Sequence, residues 1–503
     1  MTTGPRLVIV FVVDGLRPDA VIPEDTPTLC RLRAEGVDFA DSHAVFPTVT
    51  RVNAAALSTG SQPGASGLVG NQLHVAAVDS QRAFDTGAYR NLLALDRATD
   101  GALLLAPTLA ERLHAGGRRL VGVSSGSTGS ALLLNPKARS GVGAVVNGYF
   151  DPGRTVAYPA AVSEAILGKL GPAPPKPAGG TRYDAAVTWT QRVLREYVLP
   201  ELRPDVVLNW LTEPDHSQHV AGVGSPAARQ ALRHADAEIG QVLASLAGLG
   251  LADRTDVLVT SDHGFTTNAR GVDVAGALVA AGLKAAADSA DVILTGSGQA
   301  VGLHVEGRDP ERIAGIARFV LAQEWGGVVF TAGRAPGDLL GAAPGTFALE
   351  TIHVAGSGRT PDLLVTFPWS SRPGDFGVRG TDLASVSGGA RLWASDHGSM
   401  SPWNVRNMLI GWGVGFKRGV TVPAAAGIVD VAPTVLALLG ADPGPAPGLD
   451  GRVLAEALAG GPDEAKVAVE TRVLTVAAGT YRAALKISEV AGRRYVDKSW
   501  RIA

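Results

Sequence analysis

The sequence predicts an α/β protein in which a large, mostly parallel sheet is covered by helices on both faces. Two observations support this prediction: short apolar runs alternate with helical stretches along the chain, and clusters of polar residues directly follow several of the apolar runs. Parallel strands require a crossover connection, which is usually a helix, so this alternation is typical of α/β folds. Because such sheets bind ligands at the carboxyl ends of their strands, the polar clusters are the candidate site.

Five apolar runs have the length and composition of buried strands. They cover residues 7–13, 120–124, 205–210, 256–260 and 408–412. The clearest helix is expected from Pro226 to about residue 249, with Ser225 as its N-cap and an apolar face that includes Leu232, Ile239 and Leu246. This helix would connect the third of these strands to the fourth.

Composition and charge indicate a globular chain. Of its 503 residues, 46% are hydrophobic and 18% are charged, and the net charge of -2 gives no electrostatic indication of a nucleic acid duplex or an anionic membrane as partner. The single cysteine, Cys30, cannot form an intramolecular disulfide, and no apolar stretch reaches the length of a membrane span. The run 7–13 lacks the flanks of a secretion signal. We therefore expect a cytoplasmic protein with no membrane or duplex partner.

The length would permit two or three domains, but the positions of the polar clusters favour one catalytic domain with an insertion. Residues 1–266 and 391–503 are assigned to the catalytic domain. Residues 267–390 contain few candidate ligands although clusters flank them on both sides, so they are interpreted as an inserted cap subdomain. Two segments rich in Pro and Gly, 171–180 and 440–451, are expected to be exposed loops.

The chemistry is concentrated in four short segments and one later residue. Asp14 follows the first strand, Thr50 and Asn53 lie in the segment 46–53, Asp215 and His219 lie in 213–219, and Asp262 and His263 lie in 261–264; His397 comes much later. Together they supply three carboxylates, three imidazoles and one hydroxyl. Mixed Asp and His ligation suits zinc, whereas magnesium and calcium prefer oxygen ligands alone. Two zinc ions fit this set, and manganese is the alternative.

Each of these features has a simpler explanation when it is taken alone. An Asp after a buried strand is often a turn residue or helix cap, and Thr50 stands where an N-cap would stand, at an apparent helix start. Their occurrence together, at predicted strand ends, favours one site. Five nearby polar residues are expected to surround the site without binding metal: His43, His74, Glu213, His216 and Asp396.

Taken together, the segments resemble the type I phosphodiesterase and nucleotide pyrophosphatase family of the alkaline phosphatase superfamily, to which phosphonoacetate hydrolase is closely related. The resemblance extends from Val8 to about Leu454, and its most specific part is Thr50 with Asn53 and Thr59-Gly60, continued by GLVGN at 67–71. It implies an alkaline-phosphatase-like sandwich. It also implies one zinc held by Asp215, His219 and His397 and a second held by Asp14, Thr50, Asp262 and His263.

The resemblance implies a phosphodiesterase that acts on small-molecule phosphate or phosphonate esters through a phosphothreonine at Thr50. Asn53 and the Thr50 backbone N–H would bind a phosphoryl oxygen. Members that hydrolyse nucleotides usually carry an aromatic residue after the nucleophile, but this chain has Arg51, whose guanidinium would suit a further phosphate charge or a carboxylate. A phosphomonoesterase or phosphonate hydrolase is therefore the alternative, and a catalytically silent metal-binding protein a remote one. Monomer and homodimer are both left open.

Overall fold

The apolar runs of the sequence form the centre of a large sheet. The computed structural model describes residues 6–148, 157–178, 182–441 and 448–502. In chain order the strands are β1 (Leu7–Val13), β2 (Val37–Phe39), β3 (Ser42–His43), β4 (Gln72–Leu73), β5 (Phe84–Asp85), β6 (Leu120–Ser124), β7 (Ala144–Asn147), β8 (Ala157–Tyr158), β9 (Val206–Leu211), β10 (Thr255–Thr260), β11 (Thr266–Val272), β12 (Val292–Gly296), β13 (Ala300–Val305), β14 (Val329–Thr331), β15 (Phe347–Ala348), β16 (Leu363–Thr366), β17 (Trp369–Pro373), β18 (Arg379–Ser385), β19 (Ser395–Asp396), β20 (Leu409–Gly413), β21 (Val420–Val422), β22 (Ala426–Gly427), β23 (Glu470–Ala478), β24 (Tyr481–Val490) and β25 (Arg493–Arg501).

The helices are distributed along the whole chain between these strands. In order they are α1 (Pro27–Glu35), α2 (Thr50–Thr59), α3 (Pro63–Ser66), α4 (Tyr89–Ala98), α5 (Leu109–Ala115), α6 (Thr128–Leu134), α7 (Ala160–Leu170), α8 (Asp184–Val193), α9 (Asp215–Ala221), α10 (Pro226–Gly248), α11 (Val274–Ala280), α12 (Pro310–Ala322), α13 (Pro402–Val405) and α14 (Val431–Leu438). The long helix predicted after Ser225 is confirmed as α10, and the Ser225 side chain accepts a hydrogen bond from the Ala228 N–H at 3.2 Å.

The central sheet has nine strands in the order β21-β2-β20-β10-β1-β9-β6-β7-β8. All five predicted strands are confirmed to within about one residue, as β1, β6, β9, β10 and β20. The strands β10, β1, β9, β6 and β7 are parallel neighbours, and β20 joins β10 in the antiparallel sense. The prediction of a mostly parallel α/β sheet is therefore correct.

Strand β1 shows why the sheet is covered on both faces. Its side chains alternate between two apolar layers, one containing Val8, Val10 and Val12 and the other containing Ile9, Phe11 and Val13. All six are fully buried. A strand buried on both faces appears in sequence as a continuous apolar run without the alternation of a half-exposed strand, as this one does.

Beside the central sheet, the described residues form three smaller sheets of three to five strands and two two-stranded pairs, β22 with β3 and β4 with β5. Strands β12, β13, β16, β14 and β15 form a five-stranded sheet within residues 267–390, while β17, β18, β11 and β19 form a four-stranded sheet that includes residues 395 and 396. Strands β23, β24 and β25 form an antiparallel sheet at the C-terminal end. The 267–390 boundary stays a prediction, because the pairing of β11 with β19 crosses it.

The two predicted loops lie partly outside the described residues. In 171–178 and in 440, 441 and 448–451, which are described, the chain forms no helix or strand, as expected. Among the helices in the described ranges, none is long and apolar enough to span a membrane.

Candidate metal centre and active site

Three carboxylates follow three adjacent strands of the central sheet. Asp14 comes directly after β1, Asp215 begins α9 shortly after β9, and Asp262 lies two residues beyond β10. Because β9, β1 and β10 are parallel neighbours, their carboxyl ends lie at the same edge of the sheet. The strand pairing therefore brings Asp14 to the same edge as Asp215 and Asp262, which lie about 200 residues or more after it in sequence.

One group of ligand atoms is formed by Asp215, His219 and His397, whose nearest atoms all lie within 4.8 Å of one another. Asp215 and His219 are four residues apart in α9 and so share one face of the helix. The Asp215 Oδ1 atom lies 3.5 Å from the Nε2 atom of His219 and 3.5 Å from that of His397. His397 follows β19, which is held by its pairing with β11.

A second group is formed by Asp14, Asp215 and His263, again within 4.8 Å. The His263 Nε2 atom lies 3.7 Å from Asp14 Oδ1 and 3.0 Å from Asp262 Oδ2. Asp215 is therefore near both groups, whereas the resemblance to the family assigned it to one zinc only.

The carboxylates of this centre are oriented by hydrogen bonds at their outer oxygens. Asp14 Oδ2 accepts from the Trp210 indole N–H at 2.8 Å, and Asp262 Oδ1 accepts from the Gly15 N–H at 3.0 Å. Among the described residues, the other oxygens, Asp14 Oδ1 and Asp262 Oδ2, have no hydrogen-bond partner, and neither does Asp215 Oδ1. Buried carboxylate oxygens without donors are costly unless a cation binds them.

The three histidines are oriented in the same way. Each Nδ1 atom lies within hydrogen-bond distance of a backbone carbonyl: Ser395 O for His219 at 3.1 Å, Gly264 O for His263 at 3.0 Å and Thr48 O for His397 at 3.0 Å. A carbonyl can only accept, so Nδ1 is the protonated nitrogen and the lone pair of a neutral ring is on Nε2. This is the arrangement expected of histidines that bind a metal through Nε2.

The electrostatics of the cluster favour a bound cation. Burial, followed by the charges of Asp262 and Asp215, raises the pKa of Asp14 well above its ordinary value. Burial and then the nearby His263 lower the pKa of His397, which keeps its ring neutral and able to act as a ligand. Burial alone would lower the pKa of His219, but Asp215 outweighs burial and raises it to about 9. Positive charge is thus attracted to the Nε2 side of the cluster.

Thr50 lies beside the second group of ligand atoms. It is the first residue of α2, and the N-cap is Val49, which has no side-chain cap. The helix start expected at Thr50 is confirmed, and Thr50 is the first helical residue and not the N-cap that would have been its simpler explanation. Because its hydroxyl is not used for capping, Thr50 Oγ1 is directed to the His263 Nε2 atom at 3.3 Å.

A cavity of about 770 Å³ opens from Thr50 and the first group of ligand atoms. Its near side contains Thr50, Asp215, His219 and His397, and its far side contains residues of the 267–390 region, among them Lys284, Ser289 and Ile293. The hydroxyl and the metal-ligand atoms therefore face a space large enough for a small molecule, and residues of the predicted insertion form part of its wall.

Comparison with known protein families assigns the chain to a known group. Residues 8–368 match the family described as type I phosphodiesterase / nucleotide pyrophosphatase, which is well over half of the chain. The chain belongs to this family. Phosphodiester hydrolysis is the activity by which this family is named. Asp14, Thr50, Asp215, His219, Asp262 and His263 lie within the matched residues, whereas His397 lies beyond them.

Individual relatives agree with the family assignment. Human ectonucleotide pyrophosphatase/phosphodiesterase family member 7 is 40% identical over 63 residues, a match that spans 12% of this chain and 14% of that protein. Murine ectonucleotide pyrophosphatase/phosphodiesterase 5 superposes with a TM-score of 0.58 at 17% identity, covering 88% of this chain and 97% of the murine one. One of the murine structures is an inactive threonine-to-alanine variant in complex with AMP. The likeness shows the alkaline-phosphatase-like fold.

The structure places Asn53 away from the cavity of this family member. Asn53 is fully buried, its Oδ1 accepts from the Val45 N–H at 2.9 Å, and its Nδ2 donates to Val45 O and Val49 O at 3.3 and 3.1 Å. With both ends of the amide occupied, the prediction that Asn53 binds a phosphoryl oxygen is wrong. Asn53 instead fixes the turn that leads into Thr50.

Asn71 is the residue that sequence reasoning missed. It lines the cavity together with Thr50, and its Oδ1 accepts from the Arg51 N–H at 3.2 Å. The amide oxygen is thus committed, and the Nδ2 group is the end left for a ligand. The signal was present in the sequence, because Asn71 is the last residue of the GLVGN segment already recognised as part of the family motif.

Arg51 lies in the cavity wall, but its charge is shared. Its Nη2 atom lies 3.1 Å from Asp85 Oδ1, and the Asp85 side chain is 55% exposed while that of Arg51 is 18% exposed. The guanidinium therefore already has an anionic partner, which a substrate would have to displace or share. The role of Arg51 in substrate binding stays a prediction.

Five polar residues were expected to surround the centre without contributing ligand atoms. Asp396 Oδ1 accepts from the His397 N–H at 2.8 Å, and both oxygens of Glu213 accept from backbone N–H groups, those of Tyr183 and Ser217. The His216 ring lies against the Tyr183 ring, and the His74 ring against that of His304. His43 lies in a separate cluster with Asp41 and Asp497.

Proposed function

We propose that this member of the family is a two-metal phosphodiesterase that uses zinc and forms a phosphothreonine at Thr50. The observation that carries the proposal is the position of the Thr50 hydroxyl, 3.3 Å from the His263 Nε2 atom and at the edge of both groups of ligand atoms. A hydroxyl in that position would be within reach of any cation held by Asp14, Asp262 and His263.

The side chains present fit two divalent ions. Carboxylate oxygens without donors and imidazole nitrogens directed inward are the mixed O/N set that zinc accepts, with manganese as the alternative. Asp215, His219 and His397 would hold one ion, and Asp14, Asp262, His263 and Thr50 the other, with Asp215 placed to approach both. When bound, the ions would lower the pKa of the Thr50 hydroxyl and neutralise charge on the phosphoryl oxygens.

The chemistry at Thr50 then follows from its position. Its Oγ1 atom attacks phosphorus in line with the departing alcohol, and the P–O bond to that alcohol breaks as the bond to Oγ1 forms. A water then displaces Oγ1 from phosphorus and restores the hydroxyl. Each step inverts phosphorus, so the overall reaction retains its configuration.

Two groups are placed to bind the phosphoryl oxygens during both steps. The N–H of Thr50 lies in the first turn of α2, where backbone N–H groups are outside the intrahelical ladder and favour an anion. The Asn71 amide lines the same cavity, and we assign to it the role first predicted for Asn53. Neither group changes charge, so both stabilise developing negative charge without reorganisation.

The substrate is expected to be a small-molecule ester, and the cavity wall offers two means of recognition. Trp393 and Arg391 lie together in the wall, with the Arg391 guanidinium 4.6 Å from the Trp393 ring centroid, so an aromatic surface is available although Arg51 replaces the usual aromatic after the nucleophile. The binding of AMP by the murine structural neighbour supports a nucleotide ester as the first substrate to test. Arg51 supports the second candidate, a phosphomonoester or phosphonate with an additional negative charge.

A substrate panel with metal analysis tests this function. The panel comprises a p-nitrophenyl ester of a nucleoside monophosphate, bis-p-nitrophenyl phosphate, p-nitrophenyl phosphate, a p-nitrophenyl phosphonate and phosphonoacetate. We expect the two diesters to be turned over fastest, with zinc restoring activity after chelation. A protein that binds no transition metal, or that gains no activity from zinc or manganese, would contradict the proposed mechanism.

A further inference from the structure

A second set of metal-ligand side chains lies where β3 meets the C-terminal strand β25. It consists of Asp41, His43 and Asp497, whose nearest ligand atoms all lie within 4.8 Å of one another. None of these three residues is among the described residues that line the catalytic cavity. His43 is one of the residues for which the sequence predicts no role in metal binding, and Asp497 is more than 450 residues away from it in the chain.

His43 is the centre of this cluster. It is 2% exposed, and its Nδ1 atom lies 3.0 Å from the carbonyl oxygen of Ala426, so Nδ1 is the protonated nitrogen. The Nε2 atom faces Asp41 Oδ1 at 3.7 Å and Asp497 Oδ1 at 3.6 Å. Among the residues that the structure describes, Nε2 has no hydrogen-bond partner. The orientation is the same as that of the three histidines in the catalytic centre.

The separations suit a cation between the three atoms better than direct contact. Distances of 3.6 and 3.7 Å exceed an ordinary hydrogen bond. Ligand atoms bound tetrahedrally to zinc lie roughly 3.4 Å apart, given bonds of about 2.1 Å. A proton on Nε2 would face the same two carboxylate oxygens at 3.7 and 3.6 Å, which is longer than a hydrogen bond, so a metal ion fits the space between the three atoms better than a proton does.

Two cationic side chains lie beside the carboxylates of this cluster. Arg406 Nη2 is 2.9 Å from Asp41 Oδ1, and Lys486 Nζ is 3.2 Å from Asp497 Oδ1. Both side chains are partly exposed, at 51% and 32%, so they balance the carboxylates from the solvent side. A carboxylate oxygen has two lone pairs and can accept from such a donor while it binds a metal. Burial alone would lower the pKa of His43, but Asp497 and Asp41 outweigh it and raise the pKa, so positive charge is favoured at Nε2.

We propose that Asp41, His43 and Asp497 form a further binding site for a divalent transition-metal ion, of which zinc is the best fit to one imidazole and two carboxylates. The ion joins three parts of the chain. His43 lies seven residues before Thr50, Asp497 belongs to β25, and the carbonyl that orients His43 belongs to β22. The site thereby fastens the C-terminal sheet to the segment that leads into the nucleophile.

Anomalous diffraction at the zinc absorption edge tests the proposal on crystals of the whole chain soaked in zinc. We expect a peak between His43 Nε2, Asp41 Oδ1 and Asp497 Oδ1, separate from those at the catalytic centre. Peaks at the catalytic centre alone would overturn this site, because His43 Nε2 would then hold a proton in place of a metal ion. The proposed function would be unaffected by that result. A peak at the His43 site without peaks at the catalytic centre would support this site and overturn the proposed two-metal function. The absence of peaks at both places would overturn both proposals.

Three variants test the same site in solution by elemental analysis after dialysis against zinc. Asp497→Asn keeps the size of the side chain and is expected to remove one zinc per chain, while His114→Asn, at an exposed histidine, removes none. Arg406→Gln removes a cation that competes for Asp41, so it should lower the Kd for that zinc severalfold. Unchanged zinc content in Asp497→Asn, or weaker binding in Arg406→Gln, would overturn the proposal.

Discussion

At the residue scale, His219, His263 and His397 each commit one ring nitrogen to a backbone carbonyl. That single hydrogen bond fixes both the tautomer and the direction of the ring, so the Nε2 atoms are positioned before any ligand arrives. Near-parallel stacking of His263 on His397, with ring centroids 3.6 Å apart, restricts the two rings further. The centre is therefore rigid at its imidazoles, beside the Thr50 hydroxyl that we propose as the nucleophile.

Replacement of Thr50 by alanine is expected to abolish turnover while the fold and the metal content are retained. The covalent nucleophile is removed, which typically costs several orders of magnitude in kcat, but the Asp and His ligands remain. Turnover of a p-nitrophenyl diester, with elemental analysis of the same sample, measures both quantities.

Thr48 provides the matched control for this variant. Its buried hydroxyl donates to the Ser399 carbonyl at 2.8 Å, two residues after His397, so Thr48→Ala should lower the free energy of unfolding by about 1 kcal/mol and turnover by only a few-fold. An essential Thr48 with a dispensable Thr50 would show that the nucleophile had been assigned wrongly.

The role of Arg51 in substrate binding can be tested by changing either residue of its ion pair with Asp85. Arg51→Ala should reduce kcat/KM by roughly ten- to a hundredfold on a substrate with a second negative charge, the loss of a hydrogen bond to a charged group, and less on a simple diester. Asp85→Asn removes the competing carboxylate at 3.1 Å and should change kcat/KM on the same doubly charged substrate in the opposite direction. Kinetics of both variants on p-nitrophenyl phosphate and bis-p-nitrophenyl phosphate measure the difference.

The ion pair gives this test its internal control. If Arg51 only supports the start of α2, its loss will lower activity on both substrates equally and Asp85→Asn will not raise activity on either. That result would leave the phosphodiesterase assignment intact and remove the argument for a phosphonate or monoester substrate.

At the element scale, the site depends on which strands are neighbours and on how α2 begins. Strand identity could be predicted, because each buried strand is a local apolar run, and so could the helix start at Thr50. The identity of the N-cap could not be predicted, because it is Val49, whose side chain cannot cap a helix. The turn before α2 is held by Asn53, whose amide bonds to the backbone of Val45 and Val49. Because the N-cap lies one residue earlier, at Val49, the Thr50 hydroxyl is not used for capping and lies beside His263.

Two asparagines near this helix should respond differently to substitution by alanine. Asn53→Ala leaves the buried N–H and carbonyl groups of Val45 without their side-chain partner, so it should lower the free energy of unfolding by about 1 to 3 kcal/mol. Asn71→Ala removes a donor from the cavity wall, so it should lower kcat by roughly a hundredfold with little loss of stability. Urea unfolding and diester kinetics on both variants measure the contrast. Losses of kcat in Asn53→Ala with normal stability would restore Asn53 as the phosphoryl ligand.

At the scale of the whole molecule, parts of the chain that are distant in sequence meet around the catalytic domain. His353 lies at one such meeting point, with its carbonyl oxygen accepting from the Gly64 N–H at 2.8 Å and the charge of Arg494 from β25 close by. Its backbone is left-handed, with φ of 58°. Burial, followed by Arg494, lowers the pKa of His353 to about 4 from its ordinary 6.5. The folded protein therefore holds this ring in its neutral form.

This depressed pKa predicts a loss of stability in acid. Between pH 6.5 and about pH 4 the unfolded chain binds a proton at His353 that the folded protein does not, so the free energy of unfolding falls as the pH falls through that window. The contribution of His353 is on the order of 3 kcal/mol. His353→Asn, which tolerates the left-handed backbone, should lose less stability than the wild type between pH 7 and pH 4.5 in urea unfolding. His114→Asn, at an exposed histidine, should follow the wild type, and parallel curves for all three proteins would contradict the prediction.

The sequence by itself determined the fold class, the strands that carry the site, and the Asp, His and Thr residues that the structure brings together there. These follow from local patterns: apolar runs, the polar residues directly after them, and a family motif. Only the tertiary structure decided the pairing of Arg51 with Asp85, the separation of Asn53 from Asn71, the lining of the cavity by the 267–390 region, and the meeting of His43 with Asp497. The physical reason is that each of these depends on a contact between side chains whose positions are set by elements elsewhere in the chain, and no local pattern records such a contact.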